Sequence, residues 1–191
     1  MKIALENSLK REGFEIGERF DALSEYLELL ARWNRAYNLV GLRSPRDIID
    51  KLILESIAVE RFIKKNSYVM DFGTGAGIPG IPLKIVRPDI KLDLVERRKK
   101  KVAFLVYVIK KLRLDGVNVV ERDVRGGEMD MLSRYDVVLT RGVGKPWEVF
   151  SIVKDFLKKD GLFIAFTAER ESTDAIELKR GKVYLFVRSI K

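Results

Sequence analysis

A glycine-rich string that follows a short apolar run constrains this chain more than any other feature. Tyr68–Phe72 is an apolar run typical of a buried β-strand, and residues 73–80 then read Gly-Thr-Gly-Ala-Gly-Ile-Pro-Gly. Glycines at the end of a strand let the backbone turn tightly and let a ligand approach the main chain. The string therefore predicts a ligand-binding loop at the carboxyl end of a buried strand.

Strand and helix patterns alternate along the chain after this loop. Apolar runs predict further strands at Leu92–Glu96, Val117–Glu121, Asp136–Thr140, Leu162–Thr167 and Val183–Ile190, with helices at Lys99–Leu114, Met129–Ser133 and Trp147–Lys158. This alternation predicts an α/β fold of the Rossmann-like kind, with a doubly wound, mostly parallel sheet. Ligands of such sheets bind beyond the carboxyl ends of the strands, where the strand order reverses.

The first third of the chain has a helical pattern instead. Apolar residues recur every three or four positions from Phe20 to Tyr37, which predicts an amphipathic helix. Ser44 fits a helix N-cap, Pro45 fits the first turn, and the following pattern predicts a helix that runs towards Lys65. We expect a helical extension over residues 1–66 that packs as one unit with a Rossmann-like core over residues 67–191.

The sequence lacks the residues that supply thiol and imidazole groups, and their absence excludes several chemistries. The chain has no Cys and no His. Disulfides, thiol nucleophiles, imidazole acid–base catalysis and His/Cys metal sites are therefore excluded, and we expect no metal. We also expect a cytoplasmic protein, because no apolar run reaches membrane-spanning length and no secretory signal is recognisable. We expect this protein to be a monomer.

The net charge of +9 points to a polyanionic partner such as nucleic acid. Residues 1–67 are nearly balanced, with twelve Lys and Arg against eleven Asp and Glu, so the excess belongs to the remainder. Five consecutive cations open the helix after Leu92–Glu96, where positive charge opposes the helix dipole. We predict RNA phosphate contacts for this run, with a solvated charged face as the alternative. The run is Arg97, Arg98, Lys99, Lys100 and Lys101.

The glycine string itself fits two kinds of cofactor site. Gly75-x-Gly77-x-x-Gly80 satisfies the dinucleotide fingerprint, whereas Asp71-x-Gly73-x-Gly75-x-Gly77 fits the cofactor loop of Rossmann-like methyltransferases. Both interpretations need an acid at the end of the second strand to bind ribose hydroxyls, and Glu96 supplies it. An NAD-dependent oxidoreductase therefore stays open beside a methyltransferase.

Three features favour the methyltransferase. Asp71 can receive the amino group of a methionine-like moiety, and Pro79 and Pro82 remove backbone N–H groups that a pyrophosphate would need. Asp123 and Val124 follow the third strand, where an acid and a backbone N–H would hold an adenine ring.

Four strings resemble those of the bacterial 16S ribosomal RNA guanine-N7 methyltransferase family, also called glucose-inhibited division protein B. They are Trp33–Leu39, Asp71–Leu83, Ile85–Pro88 and Tyr135–Arg141, and the likeness runs from about residue 15 to 165. The resemblance implies a class I methyltransferase fold, S-adenosyl-L-methionine as cofactor, and methylation of guanine N7. The implied partner is 16S ribosomal RNA or the small ribosomal subunit.

The resemblance also implies which residues contact the cofactor. It points to Gly73, Ile78, Val124, Arg125 and Arg141, with Glu96 at the ribose. Together with the residues argued from the loop, the expected cofactor-binding set is Asp71, Gly73, Gly75, Gly77, Ile78, Glu96, Asp123, Val124, Arg125 and Arg141. Arg141 is also expected to position the reactants where cofactor and base meet, with a surface salt bridge as its alternative role.

Three positions depart from the usual pattern of that family. Arg125 stands where an acid is common, Leu52 where His is common, and Thr167 where Lys is common. The end of the chain is short, so we expect the final hairpin of the sheet to be trimmed. These departures keep open a non-catalytic RNA-binding or ribosome-assembly protein.

The residue inventory agrees with a ring-nitrogen acceptor. Guanine N7 carries a lone pair and no proton, so its methylation needs no general base and depends mainly on positioning. Methylation at cytosine C5 needs a Cys nucleophile, which is absent. Thr140-Arg141-Gly142-Val143 stands where methyltransferases of exocyclic amines carry an Asn/Asp-Pro-Pro-aromatic string.

Overall fold

The computed structural model describes residues 1–125, 128–167, 175–177 and 184–190. Its centre is a seven-stranded sheet with the order β3-β2-β1-β4-β5-β7-β6. The strands are β1 Tyr68–Phe72, β2 Lys91–Glu96, β3 Val117–Glu121, β4 Tyr135–Arg141, β5 Leu157–Thr167, β6 Ala175–Glu177 and β7 Tyr184–Ser189. Strands β1 to β5 are parallel, and β7 pairs antiparallel with both β5 and β6. The predicted mostly parallel, doubly wound sheet is confirmed, and its strand order reverses between β1 and β4.

Seven helices accompany this sheet in the described ranges. They are α1 Lys2–Glu12, α2 Phe20–Tyr37, α3 Pro45–Ile48, α4 Leu54–Ala58, α5 Gly80–Val86, α6 Lys99–Leu112 and α7 Pro146–Val153. Among the described segments, no helix is long and apolar enough to cross a membrane.

Apolar side chains cover both faces of the sheet because alternate residues of a strand point to opposite sides. In β4, Val137 and Leu139 join the larger hydrophobic cluster, whereas Val138 joins the smaller one under α7. The larger cluster also contains residues of the N-terminal helices, such as Leu23 and Leu27 of α2. The N-terminal helices and the sheet therefore share one core.

Helix α2 lies antiparallel to α6. The Glu25 carboxylate, early in α2, is 3.7 Å from the Lys111 ammonium near the end of α6. The Trp33 ring, late in α2, is 5.3 Å from the Phe104 ring in the first half of α6. Since α6 begins just after Glu96 at the carboxyl edge of the sheet, the C-terminal end of α2 lies towards that same edge.

The segment after Ser44 begins as predicted and ends earlier than predicted. The Ser44 hydroxyl accepts a hydrogen bond from the Asp47 N–H (3.4 Å), with a proline in the first turn. The continuous helix towards Lys65 is wrong. A π-helical turn at Ile49–Ile53 interrupts it, and a 3-10 turn at Val59–Phe62 closes it. The Arg87 guanidinium bonds the carbonyls of Glu60 and Ile63 at this end, which satisfies acceptors that another helical turn would need.

Two predictions near the C-terminus are corrected. Helix α7 ends at Val153, and β5 begins at Leu157, where the predicted helix still continued. The buried Leu157 pairs with Tyr135 of β4, so tertiary pairing overrides the helical pattern. The final hairpin is present as β6 and β7 rather than trimmed. Between β3 and β4, the predicted helix Met129–Ser133 is only the 3-10 turn Met129–Met131.

Candidate functional site

The glycine string forms a closed loop at the carboxyl end of β1. Gly73, Gly75 and Gly77 adopt positive φ angles of 69°, 62° and 86°, a region that glycine occupies without steric cost. The Thr74 N–H donates to the Val95 carbonyl at the end of β2 (3.0 Å), which binds the loop to the neighbouring strand. A Cβ at residue 73 would overlap the side chain of Val143. The loop therefore needs glycine for both conformation and space.

Asp71 lies beneath this loop and braces it. Its Oδ2 accepts hydrogen bonds from the Thr74 hydroxyl (2.6 Å) and the Gly80 N–H (2.8 Å). The carboxyl group is fully buried, and in the described residues its Oδ1 has no hydrogen-bond partner. Burial raises the pKa of Asp71 to about 7, against the opposing effect of the Thr74 and Gly80 hydrogen bonds. The predicted contact with an amino group stays a prediction.

The start of α5 offers no backbone donors to an anion in the described structure. The Gly80 N–H donates to Asp71, the Ile81 N–H to the Gly77 carbonyl (2.7 Å), and the Leu83 N–H to Pro79 (3.2 Å). Pro79 and Pro82 have no N–H at all. A dinucleotide pyrophosphate needs free N–H groups at this place, so the geometry weighs against the dinucleotide interpretation.

A cavity of about 430 Å³ lies at the carboxyl edge, where the strand order reverses. Its walls include four of the predicted cofactor residues, Gly73, Glu96, Asp123 and Val124. Sequence reasoning missed another part of the wall, which includes Gly142, Val143 and Gly144 after β4 and Glu148, Val149 and Ile152 on α7. The volume falls within the range of pockets that bind small molecules and cofactors.

The Glu96 carboxylate is held in place by three backbone N–H groups. Its Oε2 accepts from the Gly75 N–H (3.1 Å), and its Oε1 accepts from the N–H groups of Arg97 (3.0 Å) and Arg98 (2.9 Å). A carboxylate offers roughly four acceptor positions, so about one remains on Oε2. This buried side chain lines the cavity and has room for one hydroxyl donor.

Asp123 and Val124 extend the wall after β3. The Asp123 carboxylate accepts from the side chains of Arg125 (2.8 Å) and Arg97 (3.4 Å), and the Arg125 hydrogen bond is the largest cause that lowers the pKa of Asp123. Val124 is buried against the smaller cluster. Arg125 itself lies outside the wall, with an exposed side chain and an N–H that donates to Glu128 (2.9 Å). Any direct Arg125 contact with a cofactor stays a prediction.

Arg141 lies beside the cavity, on the face of β4 that the N-terminal helices cover. Its Nη1 is 2.7 Å from Oε2 of Glu55 in α4, and its guanidinium lies 5.2 Å from the Phe166 ring centre. Burial raises the pKa of Glu55, while the charge of Arg141 opposes that shift. Both side chains are mostly buried, so the pair is an interior link between α4 and the sheet rather than a surface salt bridge.

The remaining predicted residues separate into two groups. Gly75, Gly77 and Ile78 belong to the body of the loop, and Ile78 is buried in the larger cluster. In the cationic run, Arg97, Arg98 and Lys101 line the cavity, whereas Lys99 and Lys100 are exposed at the first turn of α6. Of the unusual positions, Leu52 is buried in the π-helical turn and Thr167 ends β5.

Two contacts from the N-terminal helices were missed by sequence reasoning. The buried Tyr26 hydroxyl donates to the carbonyl of Ala76 in the glycine loop (2.8 Å), across 50 residues of chain. Glu55 reaches Arg141 in the same way. Nothing local to either residue signals its partner, because both contacts depend on how α2 and α4 pack against the sheet.

Comparisons with known proteins agree with this geometry. The family model described as GidB, rRNA small subunit methyltransferase G, matches residues 19–189. A ribosomal RNA small subunit methyltransferase G from Methylobacillus flagellatus is 30% identical over 186 residues, covering 96% of this chain and 89% of the relative. The protein of that name from Acetivibrio thermocellus is 35% identical over 174 residues, covering 87% of this chain and 72% of the relative.

Solved structures support the fold. The crystal structure of M. jannaschii TYW2 in complex with AdoMet superposes with a TM-score of 0.58 at 19% identity, covering 73% of this chain and 75% of that one. At this identity the likeness bears on the Rossmann-like architecture alone.

Proposed function

The chain belongs to the GidB family of rRNA small subunit methyltransferases, and we propose that it transfers a methyl group from S-adenosyl-L-methionine to N7 of one guanine in 16S ribosomal RNA. The observation that carries the proposal is the braced glycine loop, which turns at Gly73 and fixes the Glu96 carboxylate on the wall of the cavity. The family supplies the substrate class, and the geometry supplies a place for the cofactor.

The residues of the cavity fit this cofactor. Glu96 keeps one acceptor position for a ribose hydroxyl, and Asp123 and Val124 line the wall beside it for an adenine ring. Gly73 and Gly142 lack side chains, which lets a ligand approach the main chain closely. The cofactor supplies an activated methyl group on a sulfonium, so the protein needs only to hold donor and acceptor in line.

The side chains around the site suit an acceptor that loses no proton. A guanidinium cannot act as a general base, so the role of Arg141 is to position the reactants. Glu55 fixes one end of its guanidinium. Arg97, Arg98 and Lys101 place positive charge at the cavity, where the phosphates of an RNA substrate would approach. Guanine N7, with its free lone pair, fits this set of residues.

The test is methyl transfer to RNA. The protein is incubated with S-adenosylmethionine carrying a labelled methyl group and with small ribosomal subunits that lack the modification, and the labelled nucleotide is then mapped. We expect label at N7 of one guanine. Label at another base or atom would refute the guanine assignment, and absence of label with intact cofactor binding would favour a non-catalytic role. Calorimetry with NAD is the control, and we expect no binding.

We further propose that the protein acts as a cytoplasmic monomer on the small subunit. The cytoplasm is where the family's named substrate is found in bacteria, and no residue of the site described above requires a second copy. Sedimentation at micromolar concentration should give a single species of about 22.0 kDa. A dimer that persists on dilution would overturn the monomer.

A further inference from the structure

A second cavity lies outside the proposed cofactor site, at the end of α2. It has a volume of about 900 Å³ and lies between the last turns of α2, the loop that follows, and the start of α3. Three arginines line it, Arg32, Arg35 and Arg43, together with one acid, Glu28. Its lining therefore carries excess positive charge, although residues 1–67 as a whole are nearly neutral.

The three arginines are exposed and have no ion-pair partner among the residues that the structure describes. Two nearby acids pair elsewhere, since Asp50 bonds Arg11 and Asp47 pairs with Lys51. In the described part of the chain, no carboxylate lies within ion-pair distance of Arg32, Arg35 or Arg43. Cations in the last turn of a helix favour its dipole, which accounts for Arg35 but not for Arg32. That account does not extend to Arg43, which lies beyond the helix.

The loop that carries Arg43 is held in a fixed shape. The Asn34 side chain accepts from the Val40 N–H (2.8 Å) and donates to the Leu42 carbonyl (3.0 Å). Asn38 ends α2 with a left-handed φ of 48°, which turns the chain back. One amide side chain thus fixes both sides of the loop and places Arg43 opposite the two arginines of α2. This gives a structural role to the Trp33–Leu39 string.

The position of the cavity connects it to the proposed active site. The C-terminal end of α2 lies towards the carboxyl edge of the sheet, as its antiparallel packing on α6 requires. Ile48, which lines the cavity, is seven residues before Glu55, and this stretch spans roughly 10 Å at the rise of a helix and includes the π-helical turn. Glu55 contacts Arg141. A polyanion engaged at the active site can therefore continue into this cavity.

We propose that this cavity is a second RNA-binding site, in which Arg32, Arg35 and Arg43 hold phosphodiester groups of the substrate RNA away from the methylated base. The inference rests on the proposed function. Guanidinium groups suit phosphate because their N–H donors match its oxygens in pairs. An anchor here would supply affinity without reading the target base, whereas the cationic run at α6 lies at the cofactor cavity itself.

The test compares two triple variants in equilibrium binding to single-stranded 16S RNA fragments and to unmodified small subunits. Arg32→Gln/Arg35→Gln/Arg43→Gln removes the three charges. The matched control, Lys65→Gln/Lys91→Gln/Lys159→Gln, removes three exposed charges near the amino edge of the sheet. We expect the arginine variant to weaken RNA binding about 10- to 50-fold at 0.15 M salt and to lower the salt slope by about 2. We expect the lysine control to change binding less than threefold.

Two further measurements separate this proposal from the proposed function. The calorimetric Kd for S-adenosylmethionine should be unchanged in the arginine variant, and a Lys-for-Arg triple variant should restore most of the salt slope. Equal losses in both Gln variants, or unchanged RNA binding in the arginine variant, would overturn the second site. A wild-type protein that binds RNA but transfers no methyl group would overturn the proposed function and leave this binding comparison intact.

Discussion

Replacing Gly73 by alanine tests the loop geometry most directly. At φ 69°, an alanine costs about 1–2 kcal/mol relative to glycine, because its Cβ crowds the backbone in the left-handed region. The added Cβ also overlaps Val143 and lies 3.5 Å from two further atoms of that side chain. Because Val143 is exposed, its side chain can shift, and overpacking adds roughly 1 kcal/mol, the lower end of the range for a packed core. We therefore expect Gly73→Ala to lower the free energy of unfolding by about 2–3 kcal/mol.

Gly13 provides a matched control for the conformational part of this cost. It has nearly the same φ, 72°, ends α1, and has no atom within 4 Å of an added Cβ. Gly13→Ala should lower the free energy of unfolding by only about 1–2 kcal/mol, which is the cost of backbone strain at a left-handed residue. The double variant Gly73→Ala/Val143→Ala should recover the overpacking part, because the overlapping atom is gone.

Urea unfolding and calorimetry measure the two consequences of Gly73→Ala. Since Gly73 and Val143 both line the cavity, we expect the Kd for S-adenosylmethionine to rise at least tenfold, whereas Gly13→Ala should bind like the wild type. The reasoning would be refuted if Gly73→Ala matched Gly13→Ala in stability and kept the wild-type Kd. Val143 would then not lie against the loop, and the cavity would have another shape.

Three shorter predictions address the buried polar groups around the loop. Asp71 keeps its proton in the folded protein up to a pKa of about 7 but loses it near 3.8 when unfolded, so this group lowers stability as pH rises through that window. Urea titrations measure the free energy of unfolding of Asp71→Asn and of the wild type at pH 5 and at pH 8. The variant should gain roughly 2–3 kcal/mol on the wild type between the two pH values. If the difference between the two proteins is the same at both pH values, the pKa shift of Asp71 is contradicted. Glu55→Gln should lower the free energy of unfolding by about 2–3 kcal/mol. This is less than the full cost of breaking a buried ion pair, because Arg141 is partly exposed. A loss under about 0.5 kcal/mol would mean that the pair is solvated. Tyr26→Phe leaves the Ala76 carbonyl unpaired, so it should lower the free energy of unfolding by about 1–3 kcal/mol and weaken cofactor binding. A neutral result in both measurements would show that water replaces the hydroxyl.

Most of the helices and strands are determined by the residues within them, which is why the sequence predicts them well. The strands β1 and β3 and the helix α2 have the predicted bounds, because each is set by a continuous periodic pattern. The errors occur where packing overrides that pattern, as at the π-helical turn Ile49–Ile53 and at the start of β5. The local pattern of apolar and polar residues contains no information about which strand Leu157 will pair with.

The same distinction holds within the candidate site. Glu96 and Val124 lie on the cavity wall, where the order of strands in such a sheet predicts a ligand site, and their contacts with a cofactor stay predictions. Val143 and the α7 residues were missed, because the loop after β4 folds over the cavity in a way that no motif specifies. Arg141 was identified, but its partner Glu55 lies far away in sequence and could not be found from local spacing.

The long-range contacts of the N-terminal helices bear on how the site is built. Tyr26 holds the glycine loop, Glu55 holds Arg141, and Trp33 packs on Phe104 in the helix that follows Glu96. Each of these contacts joins the extension to an element at the carboxyl edge of the sheet. A loop with three left-handed glycines has little stiffness of its own, since glycine is the most flexible residue. Its fixed shape depends on hydrogen bonds to Asp71 and Glu96 within the sheet and on the Tyr26 hydroxyl of α2. Helix α2 also carries Arg32, which lines the second cavity. The Tyr26 hydroxyl therefore joins the helix that carries Arg32 directly to the glycine loop.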